Sequence, residues 1–344
     1  MREVVIVSAA RTPFGRFGGG LLPFSATDLG GICIAEAVKR ANLLPEQVEY
    51  VYMGQVLQGG VGQIPSRQAA RKAGIPWEVP SITVNKVCAS GLITVALAAQ
   101  NIMLGNIDIA VAGGMESMSN APYFSKGVRW GARMGNDKLI DLMVHDGLWC
   151  AFYDRHMAIH GSEVAKEFNV SREEQDQWAL RSQLRASDAI KSGRLKEEIV
   201  PVEVKGKKGP VLIENDEGPR GDTTLEGLAK LPPVFAKDGT VTAGNAPSVN
   251  DGAGALVIMS RQKADELGLK PLATIMGHAE VSADAKYIAT VPGLATNKLL
   301  RKMGMTVNDL NLIEANEAFA AVAMVSTKIT GWNTDIVNVN GGAI

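Results

Sequence analysis

The chain has 344 residues, 46% of them hydrophobic, 21% charged and 5% aromatic, with a formal net charge of −1. At roughly 100–200 residues per domain this length holds about two core-forming units, each able to fold without disulfides or metal. The near-zero charge excludes the basic footprint that a nucleic-acid partner requires, and no apolar run approaches the roughly 20 residues that cross a membrane.

The elements follow one another in α/β order. Residues 4–10 are apolar apart from Ser8, but Arg11, Thr12 and Pro13 come at once, so the run reads as a first strand at 4–8 rather than a secretory leader. A glycine-rich turn at 18–20 precedes a helix at 29–41 and a strand at 48–53. A helix at 66–73, a strand at 82–87, a helix at 92–103 and a strand at 107–112 continue the alternation, predicting a doubly wound or layered α/β sheet. From 120 to 240 the texture changes to polar helices, the main one at 171–192, where Ser171 and Glu174 form a capping box. This stretch reads as an inserted loop domain. Strands at 255–259 and 272–279 resume the earlier pattern.

A weak internal repeat runs through both ends of the chain. Residues 45–54 (PEQVEYVYMG) match 307–316 (VNDLNLIEAN) in apolar register, and 84–89 (VNKVCA) match 337–342 (VNVNGG). In the first copy a helix and a further strand follow, whereas the second copy stops at Ile344. By analogy roughly 30–50 residues are expected beyond that point, and a second half that is incomplete.

Several residues are candidates for chemistry. Cys88 falls at the junction of strand 82–87 and an apolar helix, where helix-start N–H groups are expected to favour the thiolate and bind an oxyanion. A small buried hydrophobe is its alternative role. Cys33 sits among the apolar residues of helix 29–41 and reads as core, and Cys150 beside Trp149 and Phe152 reads as packing. Three separated cysteines give neither a disulfide framework nor zinc spacing, which points to a reducing compartment, the cytoplasm by default. His156 and His160 have the spacing of a helical metal pair, but without a third ligand a pocket-lining or structural role is favoured and no metal is expected. Asn316 lies where strand turns to helix and either orients a water or caps the helix. Residues 242–252 (TAGNAPSVNDG) are small enough for close approach of a narrow ligand, or for a tight turn. No phosphate-binding loop or dinucleotide fingerprint is present.

Five ordered motifs, VSAARTPFG (5–15, with Val5 and Ser8–Gly15), NKVCASG (85–91), GGMESMS (113–119), GNA with NDG (244–246 and 250–252) and NEAF (316–319), together resemble the thiolase family, in particular its acetyl-CoA acetyltransferases. The resemblance implies a duplicated α/β/α/β/α layered fold with an inserted loop domain. Its halves would be 1–119 with 241–268 and 269–344, and the loop domain 120–240. It implies that Cys88 is acylated by an acyl-CoA and that a second acetyl-CoA carbanion attacks it, giving acetoacetyl-CoA and CoA. Asn316 would hold a water of one oxyanion hole. His156, Met157, Ala246, Ser248, Ala318 and Phe319 would line the substrate pocket, and Arg220 would meet the nucleotide end of CoA. No cofactor beyond these thioesters is implied. A homodimer or homotetramer is implied, residues 123–136 forming either a tetramer contact or a surface loop, within fatty acid metabolism.

Two departures stand out. Ala246-Pro247-Ser248 replaces the usual Ala-Ser-Gly, and the Gly-His-Pro and Cys-x-Gly-Gly-Gly motifs that supply the family's catalytic histidine and second cysteine do not occur. The chain is therefore expected to be truncated at its C-terminus and to have little condensing activity. The alternatives are a non-catalytic CoA-binding member or a degradative 3-ketoacyl-CoA thiolase.

Overall fold

The computed structural model describes residues 2–206 and 208–344, which divide into two compact units. The first contains residues up to Gly147, Lys196–Glu217 and Val249–Met276. Its centre is a mixed sheet of β1 (Val4–Arg11), β2 (Tyr50–Gly54), β3 (Ser81–Val84), β4 (Ile109–Ser117), β5 (Asn250–Ser260) and β6 (Ala273–Thr274), in the order β6-β1-β5-β4-β2-β3. The pairs β4–β2 and β2–β3 are parallel, and β6–β1, β1–β5 and β5–β4 are antiparallel.

Alternation along the strands sends side chains to two faces. Val5, Val7, Val51, Met53, Val257 and Met259 pack with Leu29, Cys33 and Ile34 of α1 (Ala26–Arg40). Val4, Tyr52, Ala110, Ala112 and Ile258 join Ala98, Ala99 and Ile102 of the helix Ser90–Met103 on the other. Each fully buried branched aliphatic contributes about 1.5–3 kcal/mol, and a sheet covered on both faces needs apolar residues at nearly every position. α1 starts where Ser25 and Asp28 form a reciprocal cap and ends with Lys39 and Arg40 in its last turn.

Two strands are shorter than the sequence predicts, for one reason. The strand expected at 82–87 ends at Val84, which pairs with the last residue of its neighbour, Gly54. The strand expected at 272–279 is reduced to Ala273–Thr274 because its antiparallel register with β1 reaches the beginning of that strand; the Ile275 N–H already meets the carbonyl of Val4. An apolar run becomes ladder only where a partner strand lies alongside it.

The second unit contains Leu148–Leu195, Gly218–Ser248 and Gly277–Ile344, so that residues from 120–240 contribute to both units. It is built on helices Met157–Glu167, Arg172–Lys191, Val291–Met303 and Ala320–Thr330. The Ser171–Glu174 capping box forms as expected. The helices close around two cores, one with Trp178, Ala320, Trp332 and Val337, the other with Val164, Ala165, Val322 and Val325. The repeat at 307–316 and 337–342 is joined by a single parallel bridge, Ile313 to Val337.

Candidate active site

In the first unit, β3 stops at Val84 and the helix Ser90–Met103 begins six residues later, leaving 85–89 as a tight turn. Lys86 N–H donates to Ser90 Oγ at 2.8 Å, Ser90 Oγ donates to the Val87 carbonyl at 2.6 Å, and Val87 N–H donates to Asn85 Oδ1 at 3.0 Å. These bonds hold Val87 at a φ of 49°, a left-handed conformation that costs a β-branched residue about 1–3 kcal/mol. The helix start comes so close to β2 that a Cβ on Gly54 would lie 2.3 Å from the carbonyl carbon of Ser90; only glycine permits the approach. The product of this strain and crowding is an exposed Cys88.

The expectation that the helix start lowers the Cys88 thiol pKa is corrected by the structure. Although Cys88 is open to solvent, the protein beside it costs a thiolate part of its hydration and pushes the pKa up, against a lowering contribution from the Cys88 N–H, and the negative charge of Glu116 adds to the rise. Glu116 was not singled out from sequence. Its carboxylate accepts N–H bonds from Val56 at 2.8 Å and Leu57 at 3.2 Å, yet burial, aided by the Asp251 charge, raises its pKa to about 6. The carbonyl of Val56 in turn accepts from Asn85 Nδ2 at 3.3 Å, linking Glu116 to the Cys88 turn. Only the Gly-Gly-Met-Glu motif hinted at it; its position beside 56–57 follows from β4 pairing in parallel with β2. Cys33 is core as expected: fully buried, it donates to the Ala253 carbonyl at 3.2 Å and burial pushes its thiol up to about 12. Cys150 is also buried.

The second unit gathers three of the expected pocket segments. His156 is the N-cap of the helix Met157–Glu167, its Nδ1 accepting from Ala158 N–H at 3.1 Å. Its ring lies flat on Phe235, centroids 3.7 Å apart, and burial lowers its pKa. Phe235, itself at a φ of 62°, has no motif around it and is invisible to sequence reasoning. His160 takes a different partner, Arg155 Nη2 at 2.9 Å from its Nδ1, so the two imidazoles do not work as a pair. Met157 opens the helix, and one turn on, a Cβ at Gly161 would sit 3.0 Å from the Phe319 ring. Phe319 and Ala318 pack on the core that includes Val164 and Ala165.

The turn at 242–246 joins them through Asn245. Asn245 is fully buried, accepts from Thr242 N–H at 2.8 Å, donates to Asp176 at 2.9 Å, and receives Ala320 N–H on its carbonyl at 2.9 Å. Ala246 follows it half-buried, while Ser248 and Arg220 are exposed. Arg220 is tied down by its backbone N–H to Gln183 Oε1 at 2.6 Å. Of the two roles open to Asn316, helix capping falls away: the helix begins at Ala320 with Phe319 as its N-cap, and Asn316 is exposed four residues earlier. Among the described residues no three His, Cys, Asp or Glu side chains converge as metal ligands, and no helix is long and apolar enough to cross a membrane.

The comparisons with known proteins agree with one another. Residues 4–262 match the model of the thiolase N-terminal domain and residues 269–344 that of the thiolase C-terminal domain. The chain is 52% identical to an acetyl-CoA acetyltransferase of Chromobacterium violaceum over 99% of its own length and 88% of that protein's. It is 51% identical to the acetyl-CoA acetyltransferase of Cupriavidus necator over 100% of the chain and 88% of that relative. For a probable acetyl-CoA acetyltransferase of Escherichia coli (strain K12), the identity is 46% over the same shares. These matches lend no support to the expectation of impaired activity. With two domain models covering nearly every residue and relatives about half identical, on a layered α/β fold that presents Cys88 at a strand-to-helix turn, the chain belongs to the thiolase family of enzymes.

Proposed function

We propose that the chain is an acetyl-CoA C-acetyltransferase that joins two acetyl-CoA into acetoacetyl-CoA and CoA, and reverses the reaction by thiolysis. Cys88 Sγ attacks the thioester carbonyl, the bond to the CoA sulfur breaks, and the acetyl group stays on Cys88 while CoA leaves as thiol. A second acetyl-CoA, having lost a proton from its α-carbon, attacks that acetyl carbonyl. The new carbon–carbon bond forms as the Cys88 sulfur departs, and the proton given up by the α-carbon restores the Cys88 thiol. Thioester chemistry suits both directions because the acyl group remains activated throughout. Since lost hydration and the Glu116 charge favour the thiol over the thiolate, Cys88 gives up its proton as the sulfur attacks, and that proton ends on the departing CoA sulfur.

In this reading the His156–Phe235 stack, Met157, Ala246, Ser248, Ala318 and Phe319 receive the pantetheine and acyl ends, Arg220 the nucleotide end, and Asn316 a water that binds the oxyanion. The protein works in the cytoplasm as a homodimer or homotetramer. The observation that carries the proposal is the exposed Cys88 on its strained turn, in a chain about half identical to acetyl-CoA acetyltransferases. Incubation with isotopically labelled acetyl-CoA, acid quench and peptide mapping tests it. The expected outcome is label on Cys88, and loss of turnover of about 10⁴-fold in Cys88→Ala. Reversible binding with no adduct would instead support a non-catalytic CoA-binding protein. A kcat/KM series over 3-ketoacyl chain lengths separates it from a degradative thiolase.

A further inference from the structure

Glu317 is a carboxylate with almost no access to water, 1% exposed, and it stands next to the exposed Asn316. Its Oε1 accepts from Trp178 Nε1 at 2.9 Å and Asn338 Nδ2 at 2.9 Å; its Oε2 accepts from Ser182 Oγ at 2.7 Å and the Ile344 N–H at 3.2 Å. Four donors and no acceptor meet a group that, ionised, can only accept. The Ser182 hydroxyl also takes the Gly342 N–H at 2.9 Å, so the helix Arg172–Lys191 and the segment 338–344 are tied to the same carboxylate.

The other side of Asn316 is held as well. Asn338 Oδ1 accepts the Ala315 N–H at 2.8 Å and Asn338 Nδ2 donates to the Ala315 carbonyl at 2.9 Å, mimicking a strand partner through a side chain. Asn338 therefore grips Ala315 at both backbone groups and touches Glu317 at once. Its backbone φ of 49° is one that asparagine tolerates far better than branched residues. The residues on both sides of Asn316 are locked, and Asn316 alone is left with its side chain in the open.

We infer that Glu317 and Asn338 form a clasp whose role is to position Asn316 for the reaction, making Glu317 a positioning residue that acts through its neighbour. The inference rests on the oxyanion role proposed for Asn316. A water held by an amide stabilises a developing oxyanion only if the amide is fixed in advance, because reorganisation during the reaction forfeits most of the gain. A buried, fully bonded carboxylate provides that fixity, since moving it would leave charge and donors unpaired at once.

The test is a double-mutant cycle on thiolysis of acetoacetyl-CoA with Asn316→Ala and the isosteric Glu317→Gln. Whichever oxygen becomes –NH₂, two donors lose their acceptor. Glu317→Gln is expected to lower kcat about 10–100-fold with KM little changed, and to add nothing in the Asn316→Ala background. Ser182→Ala, which removes one donor, should lower kcat about threefold and also lose its effect there. Losses that multiply in the double variant, or a kcat unchanged in Glu317→Gln, overturn the clasp. An unchanged kcat in Asn316→Ala overturns instead the role of Asn316, which is the separate reading. Hydrogen exchange over residues 315–319 reads the clasp without turnover: Ser182→Ala should speed it severalfold, and unchanged exchange would also overturn it.

Discussion

The two copies of the repeated segment make different things from the same pattern. In the first, Val51 to Gly54 pair with Ser81 to Val84 as a parallel ladder, and the turn that follows carries an exposed cysteine. In the second, the ladder shrinks to the bridge between Ile313 and Val337, and the corresponding turn carries Gly341 and Gly342. A local bridge at the same place in each turn, Lys86 to Cys88 and Val339 to Gly341, shows how far the likeness extends. Both turns contain a non-glycine residue at a φ of 49°, Val87 in the first and Asn338 in the second. Asparagine takes this conformation readily and its side chain becomes the grip on Ala315; valine takes it only because Asn85 and Ser90 bind its N–H and carbonyl. Strain is stored in the turn that presents the nucleophile, and relaxed hydrogen bonding fills the turn that supports Asn316.

Making the second turn resemble the first should have the largest effect. Gly342 corresponds to Ala89, but a Cβ there would lie 2.3 Å from the Glu317 carboxyl carbon, with no room for that buried group to retreat. Gly342→Ala is expected to destabilise the fold by about 1–3 kcal/mol in denaturant melts. An unchanged midpoint would mean that the Glu317 site is looser than its geometry implies.

The converse exchange, Val87→Asn, gives the first turn a residue suited to its backbone. It should raise stability by about 1 kcal/mol while lowering the rate of Cys88 acylation, because a relaxed turn no longer holds the thiol in one place. A variant that is both destabilised and slower would remove strain from the account.

The smallest effect is a displacement in pH. Glu116 carries its charge above about pH 6, and that charge raises the Cys88 thiol pKa. Removing it in Glu116→Gln lowers the thiol pKa, so the rising limb of the acylation rate against pH moves to lower pH with little change in the plateau. A limb that stays where it was would show that Glu116 does not sense the sulfur.

Much of the first unit was legible in the chain. Alternating strand and helix patterns identified β1, α1 and β2 to within a few residues, because burial on two sheet faces leaves local marks. Cys88 at a strand-to-helix turn was legible too. Its thiol pKa was not, since helix-start N–H groups are a local feature whereas the Glu116 charge comes from a separate strand that only the sheet brings near. Asn316 illustrates the same limit: a polar residue before an apolar run reads as a cap, and only the helix start at Ala320 excludes it.

By itself the sequence determined the order of elements in the first unit, the motifs that tie the chain to the thiolases and the cysteine on which the chemistry is proposed to turn, all of them properties of neighbours in the chain. Tertiary structure decided where strands end, which unit each part of 120–240 joins, that His156 rests on Phe235, and that Glu317 is enclosed by four donors. Those depend on which distant groups share a partner, lose water together or face the same charge, and such long-range energies leave no periodic trace in the order of residues.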